Sequence, residues 1–410
     1  MPATSADTAG TGLSRRTLFA GGAAGLGAAF GTGALPSAHG AAPVEAPIDA
    51  PVEAPAFGAD ALPCHGMHQA GVDTAPAANI RYLAYELHDE TDAAALQRMF
   101  RVLTGDIEGL TSGEAPLADP EPELAARPAR LAITVGAGRG LVDRVGAGLA
   151  PEWLGPLPAF DHDELGGGFD GGDLLLAIQA DDPLPLAHAS RMLARDLASF
   201  ARPLWQQQGF RSARGAEADG STMRNLMGQL DGTVNPGPAD DDFASLVWLG
   251  PEAGWLAGGS AFVLRRIRME LDTWDQVDRP GRELTIGRRL DDGSPLSSPP
   301  GSGEHAPVDF EARNELGLSA IPMAAHIRRA HSSDPAERIL RRSDNYDDGR
   351  EAGLLFGCYQ RDPLRQFVPI QRRLDEGDLL NEWATHTGSA VFAILPGFTA
   401  GETLGASLFA

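Results

Sequence analysis

Three short segments of this 410-residue chain carry side chains that could do chemistry together. Asp231 stands in Gly228-Gln229-Leu230-Asp231-Gly232-Thr233-Val234-Asn235-Pro236, where glycines and an Asn-Pro step bound a turn and hold one carboxylate between two apolar regions. His326 lies in Ala325-His326-Ile327-Arg328-Arg329-Ala330-His331, and Arg341 in Ile339-Leu340-Arg341-Arg342. A carboxylate can take and return a proton, a guanidinium can offset developing negative charge, and a neutral imidazole can ligate a metal. Singly, each has an ordinary explanation: Asp-Gly before Asn-Pro is common turn chemistry, and a lone histidine on an apolar segment is commonly a hydrogen-bonded core residue. Their joint presence on separate segments calls for one pocket.

In this order the segments resemble the GxxDG, HIR and LRR hallmarks of the dye-decolourising peroxidase family. The resemblance extends to Gly66-Met67-His68-Gln69-Ala70-Gly71-Val72, to Gly357-Cys358-Tyr359-Gln360-Arg361-Asp362-Pro363 and to Phe392-Ala393-Ile394-Leu395-Pro396-Gly397, so it runs from about residue 60 to the end. It implies one non-covalent heme b, with His326 as axial iron ligand and Asp231 and Arg341 as the catalytic pair. Gly232, Thr233, Val234, His331, Ser332 and Ser333 would line the cofactor together with Arg341. His331 and Ser332 stand where relatives often carry Asn and Pro, and Ser343 replaces the Gly that often follows the arginine pair. By resemblance, the carboxylate on the second nitrogen of His326 should lie shortly before the last strand; Glu382 matches best and Asp378 is the alternative. Arg342 should point away, to a surface or propionate partner. Tyr346, in a polar Asp-Asn-Tyr-Asp-Asp run, is the first candidate to relay an oxidising equivalent to a bulky substrate, ahead of Trp274, Tyr359 and Trp383. The implied activity uses hydrogen peroxide to oxidise phenolic, dye-like or other aromatic reductants. Iron release from heme, the deferrochelatase activity, is the rival enzymatic reading, and a heme carrier or sensor the non-enzymatic one; a carrier has no need of a proton shuttle opposed to its ligand.

The elements that must position these residues read as α+β. Strands are expected at Ile80–Leu87, Leu131–Gly136, Leu174–Ala180, around Phe262–Leu264, at Leu354–Gln360 and at Val391–Ile394, with helices from about Thr91 to Leu103 and after Asp182-Pro183. Leu174, Leu175, Asp182, Pro183 and Leu184 recur 180 residues later as Leu354, Leu355, Asp362, Pro363 and Leu364. Asp before Pro is a cap followed by a favoured first helical position, so this repeat reads as an internal duplication of a strand–helix unit. With the resemblance it implies two ferredoxin-like domains, residues 61–225 and 226–410, the heme pocket lying in the second. Asp291 to Pro307 is rich in Gly, Ser and Pro and reads as a long surface loop near the site that could govern access.

Ser14-Arg15-Arg16-Thr17-Leu18-Phe19 precedes an uncharged Ala/Gly run, so residues 1–40 read as a twin-arginine signal peptide and residues 41–60 as a flexible Ala/Pro tether. Export by the twin-arginine translocase, to the periplasm or beyond, suits a protein that takes up its cofactor before crossing. A formal charge of −23 excludes nucleic acid and anionic membrane surfaces as partners; a homo-oligomer stays open. All 33 basic residues are Arg. The two cysteines, Cys64 and Cys358, sit in dissimilar settings, and no Cys-x-x-Cys-His is present to attach a heme covalently.

Overall fold

Chain order explains the architecture. In this computed structural model, which describes residues 57–410, the first half runs β1 (Asn79–Leu87), α1 (Ala93–Ser112), β2 (Ala132–Ala137), α2 (Arg139–Val145), β3 (Leu174–Ala180), α3 (Pro183–Leu197) and β4 (Ala201–Phe210). The signal and nearly all of the tether lie outside the described residues. β1 pairs antiparallel with β3 and β4, and β2 with β3, giving the order 2-3-1-4 of a ferredoxin-like βαββαβ unit. The second half continues with α4 (Phe243–Val247), β5 (Ser260–Met269), α5 (Leu271–Trp274), α6 (Arg279–Ile286), α7 (His326–Ala330), β6 (Leu340–Arg341), β7 (Asp344–Asp347), β8 (Ala352–Gln360), α8 (Phe367–Asp375) and β9 (Ala384–Ile394). Here β5 lies between β9 and β8, and β6 and β7 both pair with β8, so the same order returns with a split edge strand. β3 and β8 therefore occupy equivalent places, as the repeat requires.

The two sheets meet at both edges. Gly136 and Ala137 pair with Ile394 and Ala393, and Phe210 pairs with Asn345, which closes the strands into one ring. Strand alternation then gives most strands, β4 excepted, two buried faces. Ile80, Tyr82, Ala84, Leu175, Ala177, Phe262, Leu355 and Phe392 point into the ring, while Leu83, Tyr85, Leu87, Leu174, Leu176 and Ile178 face α1 and α3. Continuous apolar runs in β3 and β8 follow from this double burial.

Local chemistry sets the helix ends. The Asp92 carboxylate accepts from Ala95 N and Gly113 closes α1 at φ +83°. Asp182 accepts from Leu184 N ahead of Pro183. β4 was not anticipated: its Pro203 and Gln206-Gln207-Gln208 argue against a strand, but only alternate residues are buried and β1 supplies its ladder. Most of the 70 residues between β5 and β6 form loops, and His326 lies among them.

Candidate active site

Asp231 is presented by a turn whose backbone is closed on itself. Asn225 Oδ1 accepts from Met227 N and Gln229 N, both at 3.1 Å, and Gly228 turns at φ +87°. Trp274, buried and edge-on to Trp383 at 5.1 Å, donates from its indole nitrogen to Met227 O at 3.1 Å, so the aromatic pair braces this turn. Asp231 N then donates to Met223 O at 2.8 Å. The following Gly232 has φ +132°, where a side chain would be strained, and this bends the chain away directly after the carboxylate.

Arg341 ends the two-residue β6 and faces the same point. Its Nη1 lies 3.4 Å from Asp231 Oδ1, with the Arg341 side chain 25% and the Asp231 side chain 15% exposed. Its neighbour Arg342 points away from Asp231: Nε and Nη2 donate to the carbonyls of Val72 and Thr74 in the first half of the chain. Burial pulls the Arg342 pKa down to about 10.

His326 opens α7, a helix of five residues held by its arginines. Arg328 reaches Phe310 O, Ser319 Oγ and Ile321 O, and Arg329 Nε donates to Arg373 O on α8. The His326 Nδ1–H donates to Asp378 Oδ2 at 2.5 Å, and the Asp378 side chain is 2% exposed. Burial lowers the imidazole pKa but the Asp378 carboxylate outweighs it, so the net shift is upward; Asp231 adds to the rise and Arg341 opposes it. The Asp231 and Arg341 charges thus act on the imidazole.

The structure corrects the carboxylate assignment. Glu382 is exposed and makes no bond to His326; Asp378, the alternative, takes that role. Both belong to the Leu379–Glu382 turn, but Asp378 caps it from the inside, its Oδ1 accepting from Leu380 N at 2.9 Å. Thr233 Oγ1 donates to Glu304 Oε2 at 2.8 Å, and Val234 is 65% exposed. His331 is exposed and packs on Phe310 with ring centroids 4.8 Å apart; Ser332 Oγ accepts from Asp334 N, and Ser333 is exposed without a hydrogen bond. Tyr346 is fully buried, its ring under the Arg266 guanidinium and its hydroxyl without a partner, so no reductant can touch it. Tyr359 lies inside the ring of strands. The cysteines are free, and His68, stacked on Trp248 and bonded to Gly258 O at 2.7 Å, is structural. Asn235, which the sequence reading left unassigned, makes three contacts with Arg341.

These residues fit a heme. Among the described residues no three His, Cys, Asp or Glu side chains cluster to hold a bare metal ion. A single imidazole, its Nδ1 occupied and its Nε2 free, suits an iron that already carries four ring nitrogens.

The comparisons agree with that geometry. Residues 69–211 match the family model for the N-terminal part of the Dyp-type peroxidases and residues 222–399 that for the C-terminal part. A dye-decolorizing peroxidase of Thermobifida fusca is 37% identical, over 99% of each chain. A deferrochelatase of Yersinia pestis is 33% identical over 82% of this chain and 81% of its own. Among solved structures, a DyP-type peroxidase from Cellulomonas bogoriensis is 47% identical with a TM-score of 0.81, covering 86% of this chain and 99% of the other. Ferric DtpA from Streptomyces lividans is 38% identical with a TM-score of 0.83, covering 86% and 98%.

Proposed function

The chain belongs to the Dyp-type peroxidase family, oxidoreductases whose cofactor is heme, and on that footing we propose that it uses hydrogen peroxide to oxidise bulky phenolic or dye-like reductants. The observation that carries this reading is the presence of two built pairs, His326 with Asp378 and Asp231 with Arg341.

His326 would hold the cofactor through Nε2, while Asp378 keeps the proton on Nδ1 and makes the imidazole a stronger donor. When bound, heme supplies the iron against which the O–O bond is broken and stores the oxidising equivalents that pass to the reductant. Asp231 takes the proton from the near oxygen of incoming peroxide and returns it to the far oxygen, which leaves as water. Arg341 stabilises the negative charge that develops as the two oxygens part. By the resemblance, Thr233 and Val234 would line the cofactor next to Asp231. The heme-binding roles of Gly232, His331, Ser332 and Ser333 rest on the resemblance.

The name of the Yersinia relatives brings iron release from heme as the second reading. One experiment separates the two: heme-loaded protein is given peroxide and an anthraquinone dye, and bleached dye and iron-free porphyrin are both measured. Dye oxidation in step with peroxide, with the heme retained, is the expected result. Porphyrin accumulating without dye oxidation would replace this function by the second. The Arg15-Arg16 pair and the Ala/Gly run after it support export; lysine at both positions should then keep the protein in the cytoplasm, and unchanged export would end that reading.

A further inference from the structure

We propose that Asn235 is a positioning residue which aims the Arg341 guanidinium, so that one turn both carries the proton-transfer carboxylate and sets the direction of its cation. The Asn235 carboxamide meets Arg341 as a neighbouring peptide would: Oδ1 accepts from Arg341 N at 3.0 Å, and Nδ2 donates to Arg341 O at 2.8 Å. On its other side Arg341 is held in register with Cys358 of β8. The main chain of Arg341 is thereby clamped from both edges, although β6 is only two residues long.

The clamp continues into the side chain. Asn235 Oδ1 also accepts from Arg341 Nε at 3.3 Å, which fixes the inner edge of the guanidinium and leaves its Nη groups to face Asp231. Without this contact the side chain, one quarter exposed, would have the single 3.4 Å contact with Asp231 to hold it. Arginine carries many rotamers, and a group that must meet a developing charge loses its effect when it swings away. Asn235 itself is fixed by its own N–H to Gly232 O at 3.0 Å and by the buried Pro236 that follows. Asp231 and Asn235, four residues apart, thus lie on either side of one tight turn, and the guanidinium is held between them.

The inference rests on Arg341 being the cation of the peroxide step, and a double-mutant cycle tests both while telling them apart. The rate at which peroxide changes the heme absorption spectrum is measured in the parent, Asn235→Ala, Arg341→Leu and the double variant, each checked for full heme load. Asn235→Ala is expected to slow the step about 10–100-fold, as small misplacements of a catalytic group do, and to have no further effect once Arg341 is Leu. Asn235→Asp, which keeps the acceptor for Nε, should lose less. A crystal structure of Asn235→Ala is expected to show the guanidinium displaced from Asp231. Equal slowing by Asn235→Ala in both backgrounds, or an undisplaced guanidinium, would overturn the positioning role. If Arg341→Leu itself leaves the rate unchanged, the assignment of Arg341 falls and this inference with it. If Asn235→Ala fails to load heme, Asn235→Asp carries the cycle with the same criterion.

Discussion

Both carboxylate oxygens of Asp378 are engaged, one by His326 and one by the main chain of the turn it caps, in surroundings nearly closed to water. Hydrogen bonds to a charged group contribute about 1.5–3 kcal/mol, and loss of such a partner behind a metal-ligating histidine typically costs 10–100-fold in affinity. Asp378→Asn should therefore weaken heme binding by about that factor, measured by titrating heme into the apoprotein, whereas Glu382→Gln should bind as the parent does. The reverse order would return the role to Glu382. Four residues separate the two, and a motif match alone could not choose between them; the cap geometry of the short turn decides which carboxylate faces inward. Asp231, His326 and Arg341 were legible because their segments carry recognisable patterns, and the structure pairs Arg341 with Asp231 and His326 with Asp378. Asn235 was not, since Asn-Pro reads as turn chemistry until its contacts are seen. Tyr346 stands in a polar run, yet its ring is fully buried beneath the Arg266 guanidinium.

At the scale of elements, strands buried on both faces read clearly as apolar runs: β3 agrees with the expectation to the residue, while β5 and β9 run well beyond the short apolar stretches that marked them. β4 and α7 did not read clearly. Exposed on one face and carrying Pro and Gln, β4 takes its conformation from pairing with β1; α7 is too short for helical periodicity to register. The Gly/Ser/Pro loop from Asp291 to Pro307 was expected near the site, and it is tied there. Arg288 donates to the carbonyls of Gly293 and Glu304, and Glu304 receives the Thr233 hydroxyl. Glu304→Ala should free the loop from the Asp231 turn while leaving the Arg288 bonds to its carbonyls. The expected result is a change of a few-fold in KM for bulky dyes with the peroxide step unaltered; equal KM values for dyes and small phenols in variant and parent would show that the tie does not control access.

For the molecule as a whole, α1 and α3 place two carboxyl groups together away from the site. Burial, and then the neighbouring charge of Asp196, raise the Asp106 pKa to about 7, with Arg195 opposing. An aspartate in the unfolded chain titrates near 4. Protonation of Asp106 therefore stabilises the fold fully below about pH 4, and that contribution is lost as pH rises toward 7. Asp106→Asn should flatten the fall in unfolding temperature between pH 4 and 7; parallel profiles in variant and parent would remove Asp106 from the acid stability. The same closed ring of strands that buries these groups also fixes β6, the Asp231 turn and α8 relative to one another, so the site is a property of the assembled chain. Its central claim is that Asp231 moves the proton of peroxide opposite His326. Stopped-flow measurement of the peroxide-driven change in the heme spectrum, in parent and Asp231→Asn at equal heme load, tests this most directly. A fall of about 10²–10⁴-fold in the variant is the predicted result, the range general acid–base catalysis supplies; a variant that reacts at the parent's rate would contradict it.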